Sequence, residues 1–281
     1  MSRFRIGMRA APQGLAPSPP EGYPLAVRIA SFNVNSIRAR EQAVLDWVRG
    51  ALPDVLCLQE TKVEDDDFPT DEFLRLGYAV AMAGQPAYNG VAIAARGKIQ
   101  DVCIGLEGDP PGADRRCIAA TVDGVRVYSV YVPNGKVVGS PSFAEKLAFL
   151  ERLRRTLDER ESPDRELIVC GDFNVAADER DVYDPEAYRG QLHFHPDEHR
   201  ALKTVLDFGL VDVFRHFHSE SGAYSWWDYR ALAFAKNQGL RIDYAFVTRP
   251  LLARATGAFI DVAPRRLEKP SDHAPVVVDL A

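Results

Sequence analysis

From Val27 onward, short apolar runs alternate with polar loops, and only a few stretches carry a helical period. VRIASFN reads as a strand, and Ser36 to Arg49 as a helix closed by Gly50. In DVLCLQE the contiguous Val55, Leu56, Cys57 and Leu58 suit a strand covered on both faces. YAVAMA, GVAIAAR, RCIAATVD and VRVYSVYVP add β-type segments, the last two split by a tight Asp123-Gly124 turn. Ser142-Phe-Ala-Glu145 has the form of a capping box and opens a helix. Its Phe143, Leu147, Leu150, Leu153 and Leu157 fall near one face. Further on, Glu166 to Cys170 reads as a buried strand, Pro196 through Phe208 as a helix ending at Gly209, and LRIDYAFVT and APVVVDL as strands. Asp178–Pro196 and Ser219–Gln238 are long and loop-rich. Many strands, few helices and long polar loops predict an α/β (α+β) fold of two packed mixed sheets with helices outside.

Residues 1–24 do not share this pattern. They hold five prolines, Arg3, Arg5 and Arg9, no acid before Glu21 and no helical period. A transit peptide is conceivable there, but a disordered extension, or a start assigned upstream of Met8 or Val27, accounts better for the composition. The expected division is a disordered tail over residues 1–24 and one catalytic domain over residues 25–281.

The 281 residues, 46% hydrophobic and 26% charged, are ordinary for a soluble globular enzyme. No apolar run approaches the roughly 20 residues that span a bilayer, so no membrane partner is expected. Cys57, Cys103, Cys117 and Cys170 lie in apolar runs without zinc spacing and read as buried reduced thiols of a reducing compartment. The net charge of −6, from 34 Lys+Arg against 40 Asp+Glu, argues against a passive nucleic-acid binder. It is compatible with an enzyme that gathers carboxylates around a cation.

Five polar groups stand where apolar runs end: Asn33-Val-Asn35, Gln59-Glu60-Thr61, Gly171-Asp172-Phe-Asn174, Arg241-Ile-Asp243 and Ser271-Asp272-His273. Any one alone is ordinary turn or cap chemistry. Together they exceed what turns require, and converging carboxylates repel unless a cation lies among them. Oxygen donors point to Mg²⁺ or Mn²⁺, whose natural partner is a phosphate ester.

SFNVNSIRAR, DVLCLQETK, YVPNG, GDFN, SWWDYR, GLRIDY and KPSDHAP, in this order, resemble exonuclease III, a bacterial branch of the endonuclease/exonuclease/phosphatase superfamily. The resemblance runs from Val27 to the C-terminus. It implies a four-layer αββα sandwich with the active site on one rim, and a DNA-repair phosphodiesterase of the bacterial cytoplasm. Such an enzyme incises double-stranded DNA at abasic sites, digests 3′→5′ and cleans blocked 3′ ends, acting as a monomer with Mg²⁺ or Mn²⁺.

The same resemblance implies roles for single residues. Glu60 is the principal metal carboxylate, and Asn33 ligates or orients a metal water. Asp172 aligns and deprotonates the attacking water or shares a metal. Asn174 bonds the scissile phosphate and borders the metal. His273, oriented by Asp243, stabilises the phosphate oxygen beside the metal, and Asp272 belongs to the metal site. Tyr131 contacts the phosphate or assists the leaving oxygen as a catalytic residue, and Asn134 contacts the phosphate. Asn35 occupies a position that is acidic in some relatives and counts as a substrate contact.

Other residues read less sharply. His193, His195, His199, His216 and His218 are expected to be solvated loop and helix histidines, for want of acidic or cysteine partners in register. Arg115-Arg116 is equally an edge ion pair or a DNA contact. Arg38, Arg40, Lys62, Lys136, Arg230, Lys236, Arg241, Arg265, Arg266 and Lys269 form a candidate phosphate track on an acidic protein. Trp226 and Trp227, with Arg230, are candidate walls of a pocket for an extrahelical sugar, one tryptophan belonging to the core. Two rivals stand: a relative acting on a non-DNA phosphoester, and a catalytically silent binding protein of the same fold.

Overall fold

The structure is a computed structural model that describes residues 27–281. The tail expected over residues 1–24, and the first residues of the expected domain, lie outside the described residues. The first half of the chain builds β1 (Val27–Asn33), α1 (Ile37–Ala51), β2 (Val55–Gln59), α2 (Thr70–Arg75), β3 (Ala79–Ala83), β4 (Val91–Ala95), β5 (Ile99–Ile104), β6 (Cys117–Val122) and β7 (Val125–Tyr131). There follow α3 (Pro141–Arg160), β8 (Leu167–Asp172), α4 (Pro185–Tyr188), α5 (Pro196–Leu206), β9 (Leu210–Asp212), α6 (Val213–Phe217), β10 (Asp243–Thr248), α7 (Arg249–Leu252), β11 (Ala255–Ile260) and β12 (Val276–Leu280).

The strands form two six-stranded mixed sheets, ordered β11-β12-β1-β2-β4-β3 and β5-β6-β7-β8-β10-β9. Alternation along each strand divides its side chains between two apolar layers. In β2, Cys57 points into the core between the sheets, with Ile29, Ile93, Ile118, Val127, Ile168 and Ala245. Its neighbours Leu56 and Leu58 face Val44, Leu45 and Val48 of α1. On the other side Tyr128, Val169 and Phe246 pack on Leu150 and Leu153 of α3 and Leu202 and Val205 of α5. The four-layer αββα sandwich follows, and the central strands are unbroken apolar runs because both of their faces are covered.

Each sheet contains one parallel pair, β1 with β2 and β7 with β8. Both pairs carry their C-terminal ends to the same rim. Antiparallel β12 and β10 begin there, Val276 opposite Ser31 and Asp243 opposite Asp172. Five polar groups far apart in sequence are thereby brought to one edge of the sandwich.

Several local expectations change. Gly50 lies inside α1; the helix stops at Leu52, which is left-handed at φ 50° and bonds back to Val48 O, with Pro53 unable to continue it. Ser140, not Ser142, caps α3, because Pro141 takes the first helical position and the Ser140 hydroxyl accepts from Phe143 N at 3.2 Å. Asp243 heads β10 instead of lying inside it. Of the four cysteines, all free, Cys103 is only half-buried. No helix among the described residues is long and apolar enough to cross a membrane.

Gly171 shows how tightly the site is tied to the fold. It has φ +147°, and a Cβ there would meet Val130 O of β7 at 1.9 Å. Glycine is the residue that lets β8 approach its parallel neighbour and deliver Asp172 to the rim. Gly171→Ala should cost about 3 kcal/mol, at the upper end for overpacking. Denaturant titration checks this, and a loss below about 1 kcal/mol would mean that the strands part without cost.

Candidate active site

The rim is organised by donors placed between carboxylates. Asn33 ends β1 fully buried, and its amide hydrogens reach Glu60 Oε1 at 2.8 Å and Asp172 Oδ2 at 2.9 Å. Its own oxygen accepts from Asn35 N. Asn33 therefore spaces the two carboxylates apart, which fixes the amide's orientation. Asp172, the last residue of β8, also accepts from Asn174 N at 2.9 Å and Asn174 Nδ2 at 3.1 Å. Glu60 and Asn174 both adopt left-handed backbone, at φ 53° each, so the chain turns sharply where each strand delivers its side chain.

Across the rim, His273 donates through Nδ1 to Asp243 Oδ2 at 2.8 Å and turns Nε2 toward Asp172 Oδ2 at 3.7 Å. Asp243 Oδ2 also accepts from the Ser225 hydroxyl at 2.7 Å, while Oδ1 is buried without a partner. Ser225 in turn accepts from Ile242 N and Asp243 N, both at 3.0 Å. Sequence reasoning passed over Ser225 as part of an aromatic loop; it is fully buried and sets the carboxylate that orients His273.

The electrostatics divide the acids into two kinds. Burial pushes the Asp172 carboxyl well above its usual range; His273 opposes this, and the Asp243 and Glu60 charges add to it. Burial alone would lower His273, but Asp243 and Asp172 raise it well above an ordinary histidine, and its Nδ1 donates to Asp243. For Asp272, burial is outweighed by His273, Trp226 and Asn35, and its carboxyl is held below the usual range. Asp272 is already partnered, by Asn35 Nδ2 at 2.9 Å and Trp226 Nε1 at 3.0 Å. Glu60 and Asp172 are the acids brought close together, bridged by Asn33.

Glu60, Asp172 and His273 each offer a ligand atom within 4.8 Å of the others. Of the residues expected around a metal, these three converge. Asn33 and Asn174 present amide hydrogens to Asp172, and Asp272 turns to the Asn35–Trp226 side. A divalent cation fits this donor set, because buried like charges need one and two carboxylates supply hard oxygens.

The remaining candidates divide between the rim, the core and the exposed surface. Tyr131, at the end of β7, is half-buried, with the Arg116 guanidinium 4.6 Å from its ring centre. Burial raises its phenol, with the Glu60 and Asp172 charges adding to the effect. Asn134 Nδ2 donates to Asn174 Oδ1 at 3.1 Å. Asn35 accepts from Lys62 Nζ at 2.6 Å, and the same ammonium pairs with Glu60 Oε2 at 2.8 Å. Trp226 stands at the edge of the cleft, whereas Trp227 is 2% exposed and packs with Tyr224, Ala233 and Ala274. Arg230 is exposed and held by Asp228.

Two arginines leave the expected phosphate track. Arg241 is buried, paired with Asp181 at 2.7 Å and with Asp212 at 2.7 Å. Arg265 is buried against the Trp227, Tyr229 and Phe234 rings and bonds Ser271 O. The histidines also differ from expectation. His195 caps α5 and His199 Nε2 contacts Ala176 O. His193 enters the site itself. Its Nδ1 meets Asn174 O at 2.5 Å, which requires the proton on Nδ1, and its ring centre lies 6.4 Å from that of Trp226. Desolvation and the nearby Lys146 ammonium hold it neutral.

Known proteins resemble this chain in sequence and in fold. The profile of the Endonuclease/Exonuclease/phosphatase family matches residues 30–273. Exodeoxyribonuclease III of Haemophilus influenzae is 31% identical over 262 residues, covering 89% of this chain and 98% of the relative. An AP endonuclease from Archaeoglobus fulgidus superposes with a TM-score of 0.88 at 40% identity, over 90% of this chain and 99% of its own. The 3′ phosphatase NExo from Neisseria, bound to a product DNA hairpin, superposes with a TM-score of 0.87 at 39% identity, over 91% of this chain and 99% of its own.

Proposed function

The chain belongs to the endonuclease/exonuclease/phosphatase family, and we propose that it hydrolyses the P–O3′ bond in double-stranded DNA. It would act at abasic sites and at 3′ ends, as a monomer in the bacterial cytoplasm, with Mg²⁺ or Mn²⁺. The convergence of Glu60, Asp172 and His273 within 4.8 Å carries the reading. Abasic-site incision, 3′→5′ digestion and 3′-phosphate removal all break the same bond and leave the same 3′-hydroxyl. They differ only in what lies beyond the phosphorus, so one rim serves all three.

Glu60, beside Asp172, would hold the metal, which would supply positive charge to the phosphate. The side chains do the remainder. Asn174 and Asn134 present amide groups to the phosphate. Asp172, buried and raised, is suited to take a proton from the attacking water. The His273 ring, kept cationic by Asp243, faces the oxygen on which charge accumulates. Tyr131 stands beside Glu60 as a phosphate contact, and Trp226, with Trp227 in the core, takes the wall position. A silent binding protein of this fold would have no use for Asp172, Glu60 and His273 brought within 4.8 Å of one another, and a non-DNA phosphoester would be cut without dependence on the duplex.

Cleavage of a duplex with one abasic site, followed on a denaturing gel, tests the reading. Activity should be complete with Mg²⁺, fall at least ~100-fold in excess EDTA, and return on adding Mg²⁺ back. Full activity in EDTA would remove the metal from the mechanism, and no cleavage of any DNA substrate would remove DNA.

A second reading, weighted toward 3′ ends, is favoured by His193. Its ring adjoins Asn174 and Trp226, where an extrahelical sugar walled by Trp226 needs room. Two relatives of nearly equal identity are an AP endonuclease and a 3′ phosphatase, so the balance rests on such local residues. His193→Gly should raise abasic-site incision relative to 3′-phosphate removal by roughly tenfold, about 1.4 kcal/mol of differential transition-state binding. An unchanged ratio, from paired kinetics on the two duplexes, would mean that His193 obstructs nothing.

A further inference from the structure

Lys146 lies on α3 with no exposed surface, on the face that packs against the sheet. Its ammonium bonds Asn174 O at 2.6 Å, Asn134 O at 3.2 Å and the Glu198 carboxylate of α5. Three hydrogens meet three acceptors, so the group is saturated. The other Glu198 oxygen accepts from His195 N at 3.0 Å, which anchors the pair to the first turn of α5. The chain also closes over the lysine stem, because a Cβ at Gly135 would lie 3.0 Å from Lys146 Cδ.

Fold stability is a weak explanation for this pair, since buried ion pairs can often be exchanged for apolar side chains without loss. The acceptors suggest another use. They are the backbone carbonyls of the two asparagines that join side chain to side chain at 3.1 Å beside Asp172. Asn134 stands on the loop after β7 and Asn174 on the loop after β8. Asn174 is in the left-handed region, which turns its carbonyl inward to Lys146 while its amide reaches Asp172 Oδ2. The two loops thus share the Lys146 ammonium, with His193 Nδ1 a second contact at Asn174 O.

We propose that Lys146, braced by Glu198, is a positioning residue that sets Asn134 and Asn174 against the scissile phosphate. The inference rests on the phosphodiesterase reading. Lys146 touches no substrate and acts through the two asparagines. Misplacing a phosphate contact by about 1 Å can cost roughly 100-fold in rate, whereas duplex binding draws on phosphate contacts spread over a wide surface.

The test compares wild type, Lys146→Met and the double variant Lys146→Met/Glu198→Leu on a nicked duplex with a 3′-phosphate and on an abasic-site duplex, with melting curves throughout. The double variant removes both charges, so the fold survives without the fastening. It should melt near wild type, lose roughly 10- to 100-fold in kcat on the substrate that wild type cleaves best, and keep KM within about threefold. A folded double variant with kcat within about twofold of wild type would overturn the proposal, as would a loss confined to KM. Unfolding of both variants would overturn it as well, placing the pair in the fold and not in the site. Wild type inactive on both duplexes would instead sink the phosphodiesterase reading itself.

Discussion

Asp172 is a carboxylate with 1% exposure, and the rim is arranged around the difficulty of keeping it there. An isolated buried charge is expensive, so it must be paired, hydrogen-bonded or neutralised. Asn33, Asn174 N and Asn174 Nδ2 supply hydrogen bonds, and His273 supplies a charge at 3.7 Å. Glu60, held to Asp172 through the same Asn33, adds a second acid, whose other oxygen pairs with Lys62 Nζ at 2.8 Å. Such crowding of acids suits a cation, whereas Asp272, held by Asn35 Nδ2 and Trp226 Nε1, stands apart from the cluster.

The sandwich makes this concentration of charge possible. A rim residue held by one sheet would shift with that sheet alone. Here Asn33 and Glu60 come from the parallel pair of one sheet, Tyr131 and Asp172 from that of the other. Asn33 bridges them, and Ser225 and Asp243 fix His273 from the far side. The apolar layer between the sheets, with Ile29, Cys57, Ile168 and Ala245, therefore sets distances within the site as well as holding the fold.

What the sequence made legible follows from the same physics. Polar residues ending apolar runs were visible because a strand must stop where its side chains stop being apolar, and Asn33, Glu60, Asp172, Asp243 and His273 all come to this rim. The two sheets could be inferred from continuous runs such as Val55–Leu58. Lys146 was invisible, since on a helical pattern a lysine counts as solvent-facing and its acceptors are carbonyls that no side-chain pattern encodes. Ser225 was hidden by its tryptophan neighbours. Arg241 and Arg265 were read as phosphate contacts because charge proximity along the chain says nothing about Asp181, Asp212 or the Trp227, Tyr229 and Phe234 rings that enclose them. His193 was passed over for lack of a partner in register, while its partner is the backbone of Asn174.

In the proposed reaction water attacks phosphorus and the P–O3′ bond breaks. Isotope placement tests it most directly. Digestion of a duplex 3′ end in ¹⁸O-labelled water, with mass analysis of both products, should put the label in the phosphate of the released nucleotide and leave the new 3′-hydroxyl unlabelled. Label in the 3′-hydroxyl, or an unlabelled phosphate, would contradict it.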